Sequence, residues 1–450
     1  MMQPGLTDYV CGGYIWTVPT SSSRWFGALE GFYGAPFTAE DRVSFVRWLG
    51  TEGGRDYVYA PKGDPLLRDR WREPFPDPAW FTDLAAVCSA AGVRLSVVVS
   101  PGLDWTGDDD IPALVAKLTA LRDAGIDSLG VAFDDVPRGG AELGAAHGRA
   151  VAAAAAALPG VRVAACPVDY AVRRPTTYLR AFEAQLPAGV DLLWTGPAIV
   201  SPTITAQDVA TLAAELPGRR LVLADNVPVN DGAMSGVLHL GPYPVRDPAV
   251  PGLTAGLLLN LMPLPLASRI GVAAGLRWWA DPEGDREQQW RQVVADVPGL
   301  QPLARACRSW LTEPGADEEL AGWAHAAVDG DDRRLEDWLA AGCREGLPRD
   351  WQDELAPWLD AWELMAVGLG FVLDVGRKAD PVEAAFGIAE ARRRMRAREQ
   401  QLFGIRDAVY PVTRQDGDAV GPDPAGVVQG HWLVDEVCGR LLDRAFGAPA

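Results

Sequence analysis

The stretch Ser128-Leu-Gly-Val-Ala-Phe-Asp-Asp-Val-Pro137 opens as a short apolar run and closes on two adjacent carboxylates, Asp134 and Asp135. An unalternating apolar run is what a strand buried on both faces produces. Val136 and Pro137 then stop it. A buried strand that delivers two acids at its C-terminal tip puts them where parallel α/β sheets and barrels keep their chemistry. Taken alone, the pair reads equally well as one Asp capping the next helix and one in solvent. The rest of the chain separates the two readings.

Working outward, β-rich apolar runs recur at 25–32, 57–60, 95–100, 129–135, 161–167, 190–196, 220–226 and 256–261. Helical periodicity fills the intervals at 39–49, 80–91, 111–124, 145–158, 176–185 and 206–216. The last interval is the least helical, because 239–251 is rich in Pro and Gly. Helix starts are punctuated by Thr38-x-x-Asp41, and by Pro112 ahead of Leu114, Leu118 and Leu121. Eight strands alternating with helices predict an α/β fold, a (β/α)8 TIM barrel. The rival, a doubly wound open sheet, would carry a Gly-rich phosphate loop after its first strand. Glu30-Gly-Phe-Tyr-Gly34 is not such a loop.

The barrel is expected over 25–290, after a lead-in over 1–24 that ends in a Ser-rich loop. An all-α helical bundle is expected over 291–450, where β-branched runs give way to Trp, Leu, Ala, Arg and Glu. Trp310, Trp323, Trp338, Trp351, Trp358 and Trp362 recur there at helical spacing and read as core. The basic run over 392–398 reads as a solvated helix face or an interface patch. A loop is expected over 413–427 and a last helix over 432–442.

Net charge is −19, from 41 basic and 60 acidic residues, which disfavours a nucleic-acid partner. Cys11, Cys88, Cys166, Cys307, Cys343 and Cys438 are scattered without Cys-x-x-Cys pairs. They read as reduced thiols of a cytoplasmic protein, with Cys88 and Cys166 in the core. The N-terminus lacks the pattern of a signal peptide, and no run of ~18 apolar residues suggests a membrane span.

In a barrel, function sits at the C-terminal ends of the strands and in the loops beyond them. Those positions hold Glu30, Gly31 and Tyr33; Pro61, Lys62 and Asp64; Ser100 to Asp104; Asp134 and Asp135; Asp169 and Tyr170; Trp194 to Pro197; Asp225, Asn226, Asn230 and Asp231; and Asn260. Carboxylates, amides and aromatics without clustered His suit a polyhydroxylated ligand such as a sugar. No cofactor or metal is expected. Two acids in such a cup suggest glycoside hydrolysis. Adjacent strand residues face opposite ways, so the Asp pair cannot be a simple facing acid and nucleophile. At a strand's end the two can diverge and address two atoms of one substrate, which fits a substrate that supplies its own nucleophile.

The set Gly27-Ala-Leu-Glu-Gly-Phe-Tyr-Gly34, Tyr59-Ala-Pro-Lys62, Trp71-Arg-Glu-Pro74, Ser100-Pro-Gly-Leu-Asp104 and Phe133-Asp-Asp-Val136 closely resembles glycoside hydrolase family 84, the O-GlcNAcase-like β-N-acetylglucosaminidases. Trp194-Thr-Gly-Pro197, Asp225-Asn226, Asn230-Asp231 and Leu240-Gly-Pro-Tyr243 keep the same order. The resemblance implies retaining, substrate-assisted hydrolysis of terminal β-linked GlcNAc through an oxazoline. Asp134 would orient the acetamido group, and Asp135 would be the general acid and base. Gly31, Lys62, Tyr170, Asn226, Asp231 and Asn260 would bind the sugar. The partner would be a β-GlcNAc glycoside, glycopeptide or glycoprotein, and a homo-oligomer would form through the helical domain. A sugar-binding barrel without turnover is the alternative. The chain departs from the family pattern at Ala224, where an aromatic is usual and a pocket either wider or filled from elsewhere is expected, and at Gly232 and Gly63.

Overall fold

The computed structural model describes residues 6–11, 14–19, 24–308, 317–341, 344–376, 381–396, 405–408, 427–429 and 437–443. Packing divides the chain into two compact units. Of the described residues, one takes in those up to 231 and 243–286; the other takes in 232–242 and those from 287 onwards.

In the first unit, β1 (Leu6–Cys11) and β2 (Tyr14–Pro19) form an antiparallel pair. Eight parallel strands come next: β3 (Trp25–Glu30), β4 (Asp56–Tyr59), β5 (Arg94–Val99), β6 (Ser128–Ala132), β7 (Arg162–Cys166), β8 (Asp191–Trp194), β9 (Leu221–Asp225) and β10 (Gly256–Asn260). They close in sequence order, with β10 pairing β3, so the fold is a (β/α)8 barrel. Each strand occupies one of the eight runs expected from the sequence. The weak interval before β10 holds a single 3-10 turn, Gly232–Met234, and the four-residue helix Val250–Leu253. The Thr38 cap forms as its spacing predicts, its side chain accepting the Asp41 N–H at 3.1 Å.

Strand alternation explains the interior. Trp25, Val58, Val98, Ala132, Ala164, Leu193, Val222 and Leu258 meet in one cluster inside the barrel, with Ala60 and Ala224 in the same set. Residues two further along each strand therefore also face the axis, at the mouth. Intervening residues face the helices. Glu30, fully buried, accepts two bonds from Arg42 at 2.8 and 2.9 Å, one from the Phe37 N–H at 3.0 Å, and one from Tyr57. Asp225, also fully buried, takes Arg246 at 2.9 and 3.0 Å and the Tyr243 hydroxyl at 2.6 Å. Such pairs hold strand to flank, and removing one partner would cost about 3–5 kcal/mol by leaving the other charge buried alone.

In the second unit, Trp338, Trp351, Trp358 and Trp362 are buried as the stripe implied, and Trp338 meets Trp362 edge-on at 4.3 Å. Trp323 is half-buried. The segment 232–242 joins this unit through Leu240, whose carbonyl takes the Trp290 indole N–H at 2.6 Å and whose N–H reaches the Cys307 carbonyl at 3.0 Å. Strands β11 (Ile405–Ala408) and β12 (Val427–Gln429) pair antiparallel, and 437–443 is helical. Trp310, Trp432, the side chains of the basic run and the expected loop over 413–427 lie outside the described residues, except that Val427, its last residue, opens β12. Among those described, no helix is long and apolar enough to cross a membrane.

Candidate active site at the barrel mouth

Inward alternation selects the site. Gly31 follows Leu29, Lys62 follows Ala60, Asp134 follows Ala132, Asn226 follows Ala224 and Asn260 follows Leu258, each two residues beyond a side chain of the interior cluster. Lys62 donates from Nζ to Asp134 Oδ2. The other oxygen, Asp134 Oδ1, is buried and has no hydrogen-bond partner among the described residues.

Asp135, next in sequence, reaches the mouth by other means. Its φ of 56° is the one left-handed value among the described non-glycine residues. A non-glycine residue holds that conformation only where its surroundings impose it, and such strain gathers at functional sites. Here the imposition is visible: Oδ1 accepts the Tyr170 hydroxyl at 2.8 Å, and Oδ2 accepts the Tyr33 hydroxyl at 2.9 Å. Burial, then the Asp135 charge, pushes both phenols well above their ordinary range, so both stay protonated donors.

The amides form a second chain. Asn260 Oδ1 accepts the Gly31 N–H at 3.2 Å, Asn260 Nδ2 donates to Asn226 Oδ1 at 2.9 Å, and Asn226 Nδ2 donates to the Ile199 carbonyl at 2.7 Å. Each amide nitrogen has two hydrogens, and these bonds use one apiece. A Cβ on Gly31 would meet Asn260 Oδ1 at 3.1 Å, so a side chain there would press on the link. Asp231 is half-buried and accepts the Tyr33 N–H at 2.6 Å. Burial foremost raises its pKa, and the Asp135 charge adds to this.

Several residues of the expected cup are elsewhere. Glu30 and Asp225 face the flanks as described. Asp169 is buried against Thr176, the N-cap of helix Thr177–Glu183. Asp64 accepts Tyr59 at 2.8 Å and the Leu66 N–H at 2.9 Å within its own turn. The Trp194 indole is buried on the Val172 carbonyl at 2.9 Å. These groups support the mouth and do not line it. Tyr33, which its position places in the cup without indicating a role, holds Asp135 directly. Arg68, in the turn after Lys62, contacts Tyr33 and belongs to the site although no periodicity marks it.

The departures also have physical accounts. Ala224 is 5% exposed and packs in the interior cluster, two residues before Asn226 at the mouth. A Cβ on Gly63 would strike the Gly34 carbonyl at 2.1 Å, so this loop crossing admits only glycine. Gly232 is exposed. Cys166 is partly buried and packs against the cluster, and burial raises its thiol pKa well above the usual value. Among the described residues, no group of three or more His, Cys, Asp or Glu is placed to hold a metal ion.

Behind the strand that carries the Asp pair, on its helix-facing side, lies a buried histidine. Phe133 is fully buried and stacks on His147, centroids 3.8 Å apart and planes 6° apart. His147 Nδ1 lies 2.9 Å from the Tyr178 hydroxyl, which accepts the Val168 N–H at 3.2 Å. Burial lowers the His147 pKa to about 4 from 6.5. Between those values the unfolded chain binds the proton and the folded one does not. The contribution is therefore complete above pH 6.5 and is lost as pH falls towards 4, by up to about 3 kcal/mol. Melting temperature should drop across that window, and His147→Gln should flatten that part of the curve. An equal slope in both proteins would remove His147 from the account.

A sequence model of the beta-N-acetylglucosaminidase family matches residues 26–311. The chain belongs to this family. Similar proteins include the rat and mouse Protein O-GlcNAcases, each 28% identical over 256 residues, covering 52% of this chain and 27% of the relative. This beta-N-acetylglucosaminidase family member thus spans about a quarter of the length of those curated relatives. A solved structure of a Thermobaculum terrenum O-GlcNAc hydrolase mutant superposes with a TM-score of 0.77 at 23% identity, covering 94% of each chain, which establishes likeness of fold.

Proposed function

We propose that this chain is a retaining β-N-acetylglucosaminidase that hydrolyses terminal β-linked GlcNAc by substrate-assisted catalysis. The observation that carries the reading is Asp134 Oδ1, a buried oxygen without a partner among the described residues, beside one tied to Lys62. A buried acceptor left open is costly unless a ligand completes it. The acetamido N–H of GlcNAc supplies that donor and turns its carbonyl oxygen towards the anomeric carbon.

In the first step the acetamido oxygen bonds to C1, the C1–O bond to the aglycone breaks, and Asp135 gives its proton to the leaving oxygen. Asp134 carries the negative charge that stabilises the oxazolinium as it forms. In the second step Asp135 takes a proton from water, the water oxygen bonds to C1, and the acetamide is restored with retention. The Tyr170 hydroxyl turns from Asp135 Oδ1 to the acetamido oxygen, which leaves Oδ1 to carry the transferable proton. Lys62, with donors beyond the one on Asp134, reaches ring substituents, and the Gly31 carbonyl accepts a sugar hydroxyl. Asn226, Asn260 and Asp231 hold the acetamido group and the 4- and 6-hydroxyls with their remaining donors and acceptors.

The substrate class is a β-GlcNAc glycoside, glycopeptide or glycoprotein. A cytoplasmic setting belongs to the reading, supported by Cys88, Cys166 and Cys307, none of them in a disulfide. A homo-oligomer through the helical unit is supported by exposed Val367 and Phe371 on helix Ala356–Gly376 and by Val382 and Phe386 on helix Pro381–Arg396. The test is hydrolysis of an aryl β-GlcNAc glycoside with and without a thiazoline that mimics the oxazoline. Turnover abolished by the thiazoline is the expected result. Tight thiazoline binding without turnover would favour the sugar-binding alternative, and neither would reject both.

A further inference from the structure

Tyr33 does not hold itself in place. Its side chain is 43% exposed on the loop after β3, yet its hydroxyl meets Asp135 Oδ2 at 2.9 Å. Tyr170, the other phenol on Asp135, is 9% exposed and is fixed by its surroundings. Two contacts fix Tyr33. Asp231 accepts its backbone N–H at 2.6 Å. Arg68, only 6% exposed, donates from Nη2 to the phenolic oxygen at 3.2 Å, and its guanidinium lies 5.5 Å from the ring centroid. Arg68 is anchored in its own turn by its N–H on the Pro65 carbonyl at 3.3 Å.

Among the described residues Arg68 makes no ion pair with a carboxylate, although other well-buried arginines, such as Arg42 and Arg246, each make one. A cation taken out of water without a paired anion is disfavoured unless the surrounding field keeps it. The carboxylates nearest along its contacts are Asp135, on the other side of the Tyr33 hydroxyl, and Asp231, on the Tyr33 N–H. The hydrogen bond from Arg68 also removes a freedom. With a phenolic lone pair occupied by the guanidinium, the Tyr33 O–H is left aimed at Asp135.

We propose that Arg68 is a positioning residue for the Asp135 carboxyl, acting through the Tyr33 hydroxyl so that Oδ2 always accepts and the transferable proton is confined to Oδ1. The proposal rests on Asp135 being the general acid and base. Arg68 is 6% exposed and is linked to Asp135 through Tyr33, so its removal degrades proton delivery and leaves sugar binding intact.

The test compares Arg68→Gln, Tyr33→Phe, the double variant and Asp135→Asn on phenyl β-GlcNAc, which needs protonation to leave, and on the 2,4-dinitrophenyl glycoside, which does not. Arg68→Gln and Tyr33→Phe should each lower kcat about tenfold on the phenyl glycoside but within about twofold on the dinitrophenyl one, at unchanged KM. The double variant should be no slower than Tyr33→Phe alone, because the two act in one chain. Equal losses on both glycosides, or losses that multiply in the double variant, would reduce Arg68 to a support of its turn. Should Arg68→Gln melt below the assay temperature, Arg68→Lys, which keeps the charge but loses the fork, makes the same comparison. If Asp135→Asn discriminates between leaving groups and Arg68→Gln does not, the Arg68 inference alone fails. If Asp135→Asn does not discriminate, the underlying reading fails first.

Discussion

Asp134→Asn should slow every β-GlcNAc glycoside by about 100- to 1,000-fold, whether the leaving group is activated or not. The amide keeps the shape but loses the charge that faces the forming oxazolinium. It also leaves the Lys62 ammonium, only 6% exposed, without the carboxylate it now pairs with. Its NH2 can turn towards the acetamido N–H, where an acceptor is required. Intramolecular attack is weakened in every substrate alike, so kcat should fall in parallel across a leaving-group series. A loss that shrank as the leaving group improved would give Asp134 the acid's role and overturn the assignment.

Asp135→Asn should show the complementary pattern. Phenyl or alkyl glycosides, whose leaving oxygen needs a proton, should lose about 100- to 10,000-fold. The 2,4-dinitrophenyl glycoside should lose far less, because its departure needs no acid and only the attack of water still lacks a base. The geometry bears directly on this expectation. Asp135 is held by two phenols in a strained backbone conformation, φ 56°, and Asn tolerates that conformation as well as Asp does. The substitution therefore removes the proton and leaves the fold in place. Identical losses on both substrates, at an unchanged melting temperature, would count against the acid role.

These two residues are legible in the sequence because a buried barrel strand that ends in adjacent acids delivers them to the mouth. So are Lys62, Asn226 and Asn260, which fall at matching positions past their strands. Counting every polar residue at a strand's end as part of the cup overshoots. The two-residue period decides between neighbours: Asn226 faces the mouth while Asp225 is fully buried against Arg246, and Gly31 faces it while Glu30 is locked to Arg42. Asp135 escapes that period only through its left-handed backbone, which no sequence pattern announces. Arg68 is invisible for another reason. It reaches the site from an irregular turn, through a tyrosine, and neither helical nor strand spacing connects the two. Ala224 stands where the family pattern has an aromatic, and its side chain packs in the interior cluster, two residues before Asn226.

The most direct test of the central claim is the rate on aryl β-glycosides whose N-acetyl group carries zero, one, two or three fluorines. If the substrate's own acetamide is the nucleophile, kcat/KM should fall steeply and in order as fluorine withdraws electrons from the carbonyl oxygen. A flat response would mean that a protein group or water attacks the anomeric carbon, and substrate assistance would have to be abandoned.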